Sequence, residues 1–318
     1  MPASPTTSAP AVPASGAELH PHARPTRSPW VWWHLLSLDA PTVAVVWCWF
    51  FAAAFGLTLP STSLLTLALG TWCVYVGDRL LDGWRSTDTF ALRDRHWFYL
   101  RHRKPFVMAW IAAAAPLAYL IFFRVPTAVR TDDIVLCLIG CAYFLLIHGR
   151  TSPRSPLRRF PKELAVGFLF SIATAVPTWT RLGEGRGLLL SAVLIFGAAC
   201  WLNCVAIQTW EDAEAAREGL DNIFSETIRT PAKTGPRGLT EFLGTHLTAF
   251  AIAVGTTALS LACITAKTSL WPLFAAVVLS SLLFLALIRQ AERFSALSLR
   301  ILADGALLTP LIFFLYVR

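Results

Sequence analysis

Nine apolar runs dominate the chain, at roughly 41–59, 62–84, 105–124, 131–149, 162–181, 187–211, 243–265, 270–289 and 297–317. Each is close to the ~20 residues that an α-helix needs to cross a bilayer. Between them lie short polar, Pro- or Gly-bearing loops, with no room for a soluble domain. Backbone groups in lipid must be satisfied within each segment, so the pattern predicts an all-α integral membrane protein with nine transmembrane helices. Residues 1–28, rich in Pro, Ala, Ser and Thr, read as a disordered tail with no apolar core and no signal peptide. Residues 29–40, which begin "PWVWWHLLSLDA", place three tryptophans just before the first run and predict a short interfacial helix. Residues 41–318 then form the membrane domain.

Composition agrees with that pattern. Of 318 residues 55% are hydrophobic and only 14% charged, against roughly 25% charged in soluble domains. The formal net charge is +8, but the basic residues gather in loops, which points to topology and phosphate binding rather than to nucleic acid. Counting from an N-terminus on one side, 21 of the 27 Lys and Arg residues fall on that side. The positive-inside rule makes it cytoplasmic, in a bacterial inner membrane, with the C-terminus outside. The seven cysteines lie in or beside apolar segments and read as small packing residues.

Charged residues inside this frame are expensive, at about 2.5–3.5 kcal/mol or more near a helix centre. The second run ends "VYVGDRLLDG" (74–83). Asp78 and Asp82, four apart, share a helix face with Tyr75 and Arg85 close to the same stripe, while Arg79 lies about 100° away. The sixth run continues as "LNCVAIQTWEDAEAAREGLDN" (202–222), where Asn203, Glu211, Glu214 and Glu218 fall on one arc and Asp212 and Asp221 add charge. Both clusters are expected at the cytoplasmic helix ends. Salt bridges and a solvated helix end account for them in the simplest reading. The alternative is a hard cation such as Mg²⁺, held by carboxylates against substrate phosphates. Loop cations would balance the remaining phosphate charge: Arg93, Arg95, Arg101, Arg103, Lys104, Arg158, Arg159 and Lys162. In the last run Asp304 stands four residues after Arg300, which predicts an intrahelical pair. His34 reads as interfacial, and His148 and His246 as helix-end polar residues. Pro177 and Pro310 are expected to kink their helices.

These motifs resemble the UbiA superfamily, membrane prenyltransferases that join a polyprenyl diphosphate to an aromatic or other lipophilic acceptor. The resemblance rests on "LLSLDAPTVAVVW" (35–47), "DRLLDG" (78–83) and "RRFPKELAVGFLF" (158–170), and on an acidic cluster near 211. It spans most of residues 30–318. Val74 and Tyr75 stand where the family has Asn and Asp, and Ala215 or Ala216 where its second motif has Asp. The Arg-Pro-Leu-Pro-type loop after helix two is replaced by "RDRHWFYLRHRK" (93–104). The resemblance implies a UbiA-like nine-helix bundle with Mg²⁺ as cofactor. It implies metal ligands Asp78, Asp82, Glu211, Asp212 and Glu214, and a diphosphate held by Arg79, Arg85, Arg95, Arg101, Arg158, Arg159 and Lys162. The acceptor would lie near Asn203 or Tyr75, and the isoprenoid tail between helices, open to lipid. The fewer ligands imply a weaker site, or one metal where the family uses two. A catalytically silent isoprenoid-binding relative and a proton-coupled transporter using Asp78, Asp82, Asp304 and Glu211 remain open.

Overall fold

The computed structural model describes residues 28–85, 94–127, 162–225 and 239–317, with isolated positions between 130 and 138. Every regular element among them is helical: α1 Pro29–Leu35, α2 Asp39–Ala54, α3 Ser61–Arg85, α4 Asp94–Arg101, α5 Arg103–Tyr119, α6 Lys162–Trp179, α7 Arg186–Ser225, α8 Leu239–Thr245, α9 Leu247–Ile264, α10 Trp271–Gln290 and α11 Ala296–Ala306. A π-helical turn, Leu120–Arg124, extends α5, and a 3-10 segment, Thr309–Tyr316, follows α11. Among the described residues, six stretches are long and apolar enough to cross a membrane: Ser61–Leu81, Arg103–Arg124, Arg186–Arg217, Leu247–Ile264, Trp271–Arg293 and Ala296–Tyr316. Pro29–Leu35 and Asp39–Ala54, bent by 89°, would together make a seventh. The chain is thus a helical membrane protein, and nine spans are more than the described residues display. The span expected at 131–149 lies largely outside them. Helix α6 opens on Lys162 and Glu163 and is not among the six.

Helix α7 is the central post, packed against α6, α9, α10 and α11. Its buried face, from Leu189 through Phe196 to Val205 and Trp210, meets Trp47, Phe50 and Phe51 of α2 and Phe274 and Phe284 of α10. Trp47 stacks on Phe196 with ring centroids 4.0 Å apart. Its Nε1 donates to the Leu307 carbonyl at 2.7 Å, which fastens the first long helix to the last. A smaller core joins Leu35, Val76, Phe98, Tyr99 and Phe106 from α1, α3, α4 and α5. Apolar side chains such as Leu194, Ile252, Leu282 and Ile312 remain exposed on the outside, as a lipid-facing surface requires.

Lipid is as apolar as leucine, so helix association here depends on close packing and hydrogen bonds rather than on hydrophobic burial. The α6–α7 contact shows both. A Cβ on Gly167 would stand 2.7 Å from the Trp201 backbone N, and one on Gly197 2.8 Å from the Phe168 ring. Ser171 Oγ donates to the Val193 carbonyl at 2.6 Å beside them. Pro177 sits inside α6 without ending it. Pro310 lies just after α11 gives way to the 3-10 segment.

Candidate functional site

The polar residues of α1, α2, α3, α7 and α11 gather at one end of the bundle, and the corner between α1 and α2 starts the arrangement. Ser37 there has φ +55°, a left-handed conformation that costs a non-Gly residue on the order of 1 kcal/mol or more. Its surroundings hold it in place. Ser37 Oγ and Tyr99 Oη are 2.7 Å apart. Trp72 Nε1 donates to the Leu36 carbonyl at 2.9 Å, and Arg79 Nη1 to the His34 carbonyl at 3.0 Å. Burial pushes the Tyr99 phenol above its ordinary pKa, so it stays a neutral hydroxyl able to donate.

The corner brings His34 onto Asp39. His34 Nδ1 lies 2.7 Å from Asp39 Oδ2, with both side chains almost fully buried. Asp39 Oδ1 accepts from its neighbour's backbone, Ala40 N–H, at 2.9 Å. It also stands at the N-terminus of α2, where the helix dipole favours a carboxylate. Arg79 Nη2 is 3.9 Å from Asp39 Oδ2. The Arg79 guanidinium also lies over the Tyr99 ring, 5.6 Å from its centroid.

Helices α7 and α11 close the other side. Asn203 Nδ2 donates to Asp304 Oδ1 at 3.0 Å, and Arg300 Nη1 to Glu211 Oε1 at 2.8 Å. Glu214 Oε1 accepts from the Ala296 backbone N–H at 3.0 Å, at the start of α11. Asp212 Oδ1 accepts from Gln208 Nε2 at 2.7 Å along α7 itself. Ligand atoms of His34, Asp39 and Asp304 come within 4.8 Å of one another, joining the two halves.

The structure brings some of the expected residues together and separates others. Arg79, Glu211 and Asn203 belong to the buried cluster. Asp78 and Tyr75 are half-buried on α3. Asp82 and Arg85 lie on α3 and Arg95 on α4, with side chains outside the described set, as are those of Glu218 and Asp221. Arg101, Arg103 and Lys104 are exposed where α4 meets α5, and Lys162 is exposed at the start of α6. Arg93, Arg158, Arg159 and His148 lie outside the described residues. One expectation is corrected: Arg300 does not close an intrahelical pair with Asp304. It reaches across to Glu211, and the Asn203 amide takes Asp304 instead. His34, expected as an interfacial residue, is fully buried within the protein against Asp39. Asp39 carried no role in the sequence reading, because its contact with His34, five residues back, exists only through the corner.

The carboxylates expected to hold Mg²⁺ are hard oxygen donors of the right kind, and one or two suffice when substrate phosphates complete the shell. Those on α7 are already engaged: Glu211 with Arg300, Glu214 with the α11 N-terminus, Asp212 with Gln208. Each of these contacts occupies at least one carboxylate oxygen. The fit is therefore to an ion that substrate completes, not to a preassembled cage. An apolar groove of about 350 Å³ between α9 and α10, lined by residues such as Leu259, Val278 and Phe313, includes none of the cluster residues. No family model matches the chain, and no match is found among curated proteins or solved structures.

Proposed function

We propose that this chain is an intramembrane prenyltransferase of the UbiA kind, which moves an isoprenyl group from a prenyl diphosphate to an aromatic or other lipophilic acceptor. We place it in a bacterial cytoplasmic membrane, with the polar end of the bundle facing the cytoplasm. The supporting observation is that both acidic motifs reach one buried cluster: "DRLLDG" through Arg79, and the α7 segment through Glu211. A buried ionic cluster in a membrane bundle is a functional site by default, because its cost is high.

Asp78 and Asp82, with Glu211 and then Asp212 or Glu214, would hold the metal. Bound Mg²⁺ would neutralise charge on the departing diphosphate. Arg79, Arg85, Arg95, Arg101, Arg158, Arg159 and Lys162 supply the remaining positive charge along its path. The bond pair leaves with the diphosphate, and the acceptor, near Asn203 and Tyr75, gains the isoprenyl group and gives up a proton. The ion pair between Arg300 and Glu211 ties α11 to α7 beside these residues. The test is equilibrium binding of a non-hydrolysable prenyl diphosphate to the protein in nanodiscs, with and without Mg²⁺. Binding that requires Mg²⁺ and disappears in Asp78→Asn/Asp82→Asn is expected. Absence of binding, or binding indifferent to metal and substitution, overturns the reading.

The nearness of Asp39, His34 and Asp304 favours a second reading, a proton-coupled transporter with these groups as its relay. That protein would carry protons across liposome membranes and ignore prenyl diphosphate.

A further inference from the structure

His34 has no task in prenyl transfer. An ionised carboxylate only accepts hydrogen bonds, so the contact between His34 Nδ1 and Asp39 places the imidazole proton on Nδ1. The Nε2 lone pair is then left over. His34 is fully buried, and Nε2 has no hydrogen-bond partner among the described residues. Asn203, 8% exposed, repeats the pattern. Its Nδ2 is given to Asp304, and its Oδ1 is buried without a partner.

Charge bookkeeping singles out the same place. Arg300 is matched to Glu211 at 2.8 Å and Arg79 stands 3.9 Å from Asp39, whereas Asp304 has no cation within ion-pair distance among the described residues and lies against the Asp39 carboxyl group. Two guanidinium groups thus face three carboxylates. Arg79 Nη2 and Arg300 Nε are likewise buried without a hydrogen-bond partner among the described residues. Two acceptors beside Asp304 make a donor set that a metal ion completes, and the two guanidinium groups are placed to donate to an anionic ligand on that ion. A metal-bound histidine characteristically gives its other ring N–H to a carboxylate, as His34 gives Nδ1–H to Asp39.

We propose that His34 Nε2, Asp304 and the Asn203 carbonyl oxygen form a binding site for a divalent transition-type cation, with Asp39 orienting the imidazole. Mixed nitrogen and oxygen donors suit Mn²⁺, Fe²⁺ or Zn²⁺ better than Mg²⁺. The site is therefore distinct from the all-oxygen set on α3 and α7, and it does not depend on the prenyltransferase reading. Three protein donors leave coordination positions open, as in catalytic rather than structural metal sites. With all three carboxylates ionised, a dication there gives the cluster one excess positive charge. The open positions then suit hydroxide or another anionic ligand.

The experiment uses the full chain in nanodiscs, stripped of metal and titrated with Mn²⁺, and pulsed electron paramagnetic resonance to read nitrogen coupling. His20→Ala and His22→Ala are built into the background, because those residues could bind metal independently. One Mn²⁺ per chain carrying histidine-nitrogen coupling is expected, and it should persist in Asp78→Asn/Asp82→Asn. Affinity should fall at least ~10-fold in Asp304→Asn and in Asn203→Ala. No Mn²⁺ binding, binding without nitrogen coupling in the protein with His34 intact, or coupling that survives both substitutions at full affinity overturns the site.

Discussion

The contact between Arg300 and Glu211 offers the most direct test of how this bundle is held together. It joins α11 to α7 through one 2.8 Å hydrogen bond between side chains that are 18% and 9% exposed. Removing one partner of a buried pair costs about 3–5 kcal/mol, because the other charge stays behind. The partial exposure of Arg300 puts the expected cost of Arg300→Met at the lower end, about 3 kcal/mol. Glu211→Leu strands the guanidinium instead and is expected to cost a similar amount. Replacing both with apolar residues removes the stranded charge, so the double variant should lose far less than the sum of the two. The expected coupling is about 2 kcal/mol, within the range for residues in one network. That corresponds to roughly a 30-fold difference in unfolding equilibrium from the additive value. Reversible unfolding in mixed micelles, followed by the fluorescence of the 13 tryptophans, measures it. Losses that add to within about 0.5 kcal/mol would show that the two side chains do not act as a pair.

Two further outcomes follow from the packing. Gly167→Ala gains helix propensity worth up to ~1 kcal/mol. Its new methyl group would nevertheless meet Trp201 backbone at 2.7 Å, and overpacking of about 1–3 kcal/mol should win. A lowered melting temperature is expected, while Gly183→Ala, where a Cβ meets nothing within 4 Å, should leave it nearly unchanged. At the α1–α2 corner, Ser37→Val should destabilise more than Ser37→Gly. Both lose the hydroxyl contact to Tyr99, worth about 1 kcal/mol, but only valine also suffers at φ +55°. Hydrogen exchange across residues 34–40 reads the difference.

What the sequence disclosed was whatever depends on neighbours along the chain. Apolar length is a local property, so the helices over 62–84, 243–265 and 270–289 were legible to within a few residues, as was the start of the one at 187, which continues past 211 to Ser225 on polar residues. Asn203 stood out as a deep polar residue, and it does enter the cluster. The arginine of "DRLLDG" was harder to place. The i,i+4 spacing drew attention to the two aspartates, yet it is Arg79, a third of a turn away, that points into the cluster. Arg300 and Asp304 misled for the same reason. A local pair was geometrically available, but Glu211 and Asn203 on another helix outcompeted it. His34 and Asp39 were illegible because their meeting depends on one left-handed residue between two helices at 89°.

The fastening of α2 to the last span also dictates the order in which the protein can be finished. Trp47 finds its acceptor at Leu307, 260 residues later in the chain. Asp39 finds Arg79 on α3, and its other neighbour Asp304 comes only with α11. A ribosome making this chain therefore releases the first long helix into the membrane well before the residues that complete its polar end exist. Until α11 arrives, Trp47, Asn203 and Glu211 lack the partners that Leu307, Asp304 and Arg300 supply, and this seam of the bundle stays unfinished. That seam is where an insertase would have to stand guard, and where a chain truncated before residue 296 would present itself to membrane quality-control proteases.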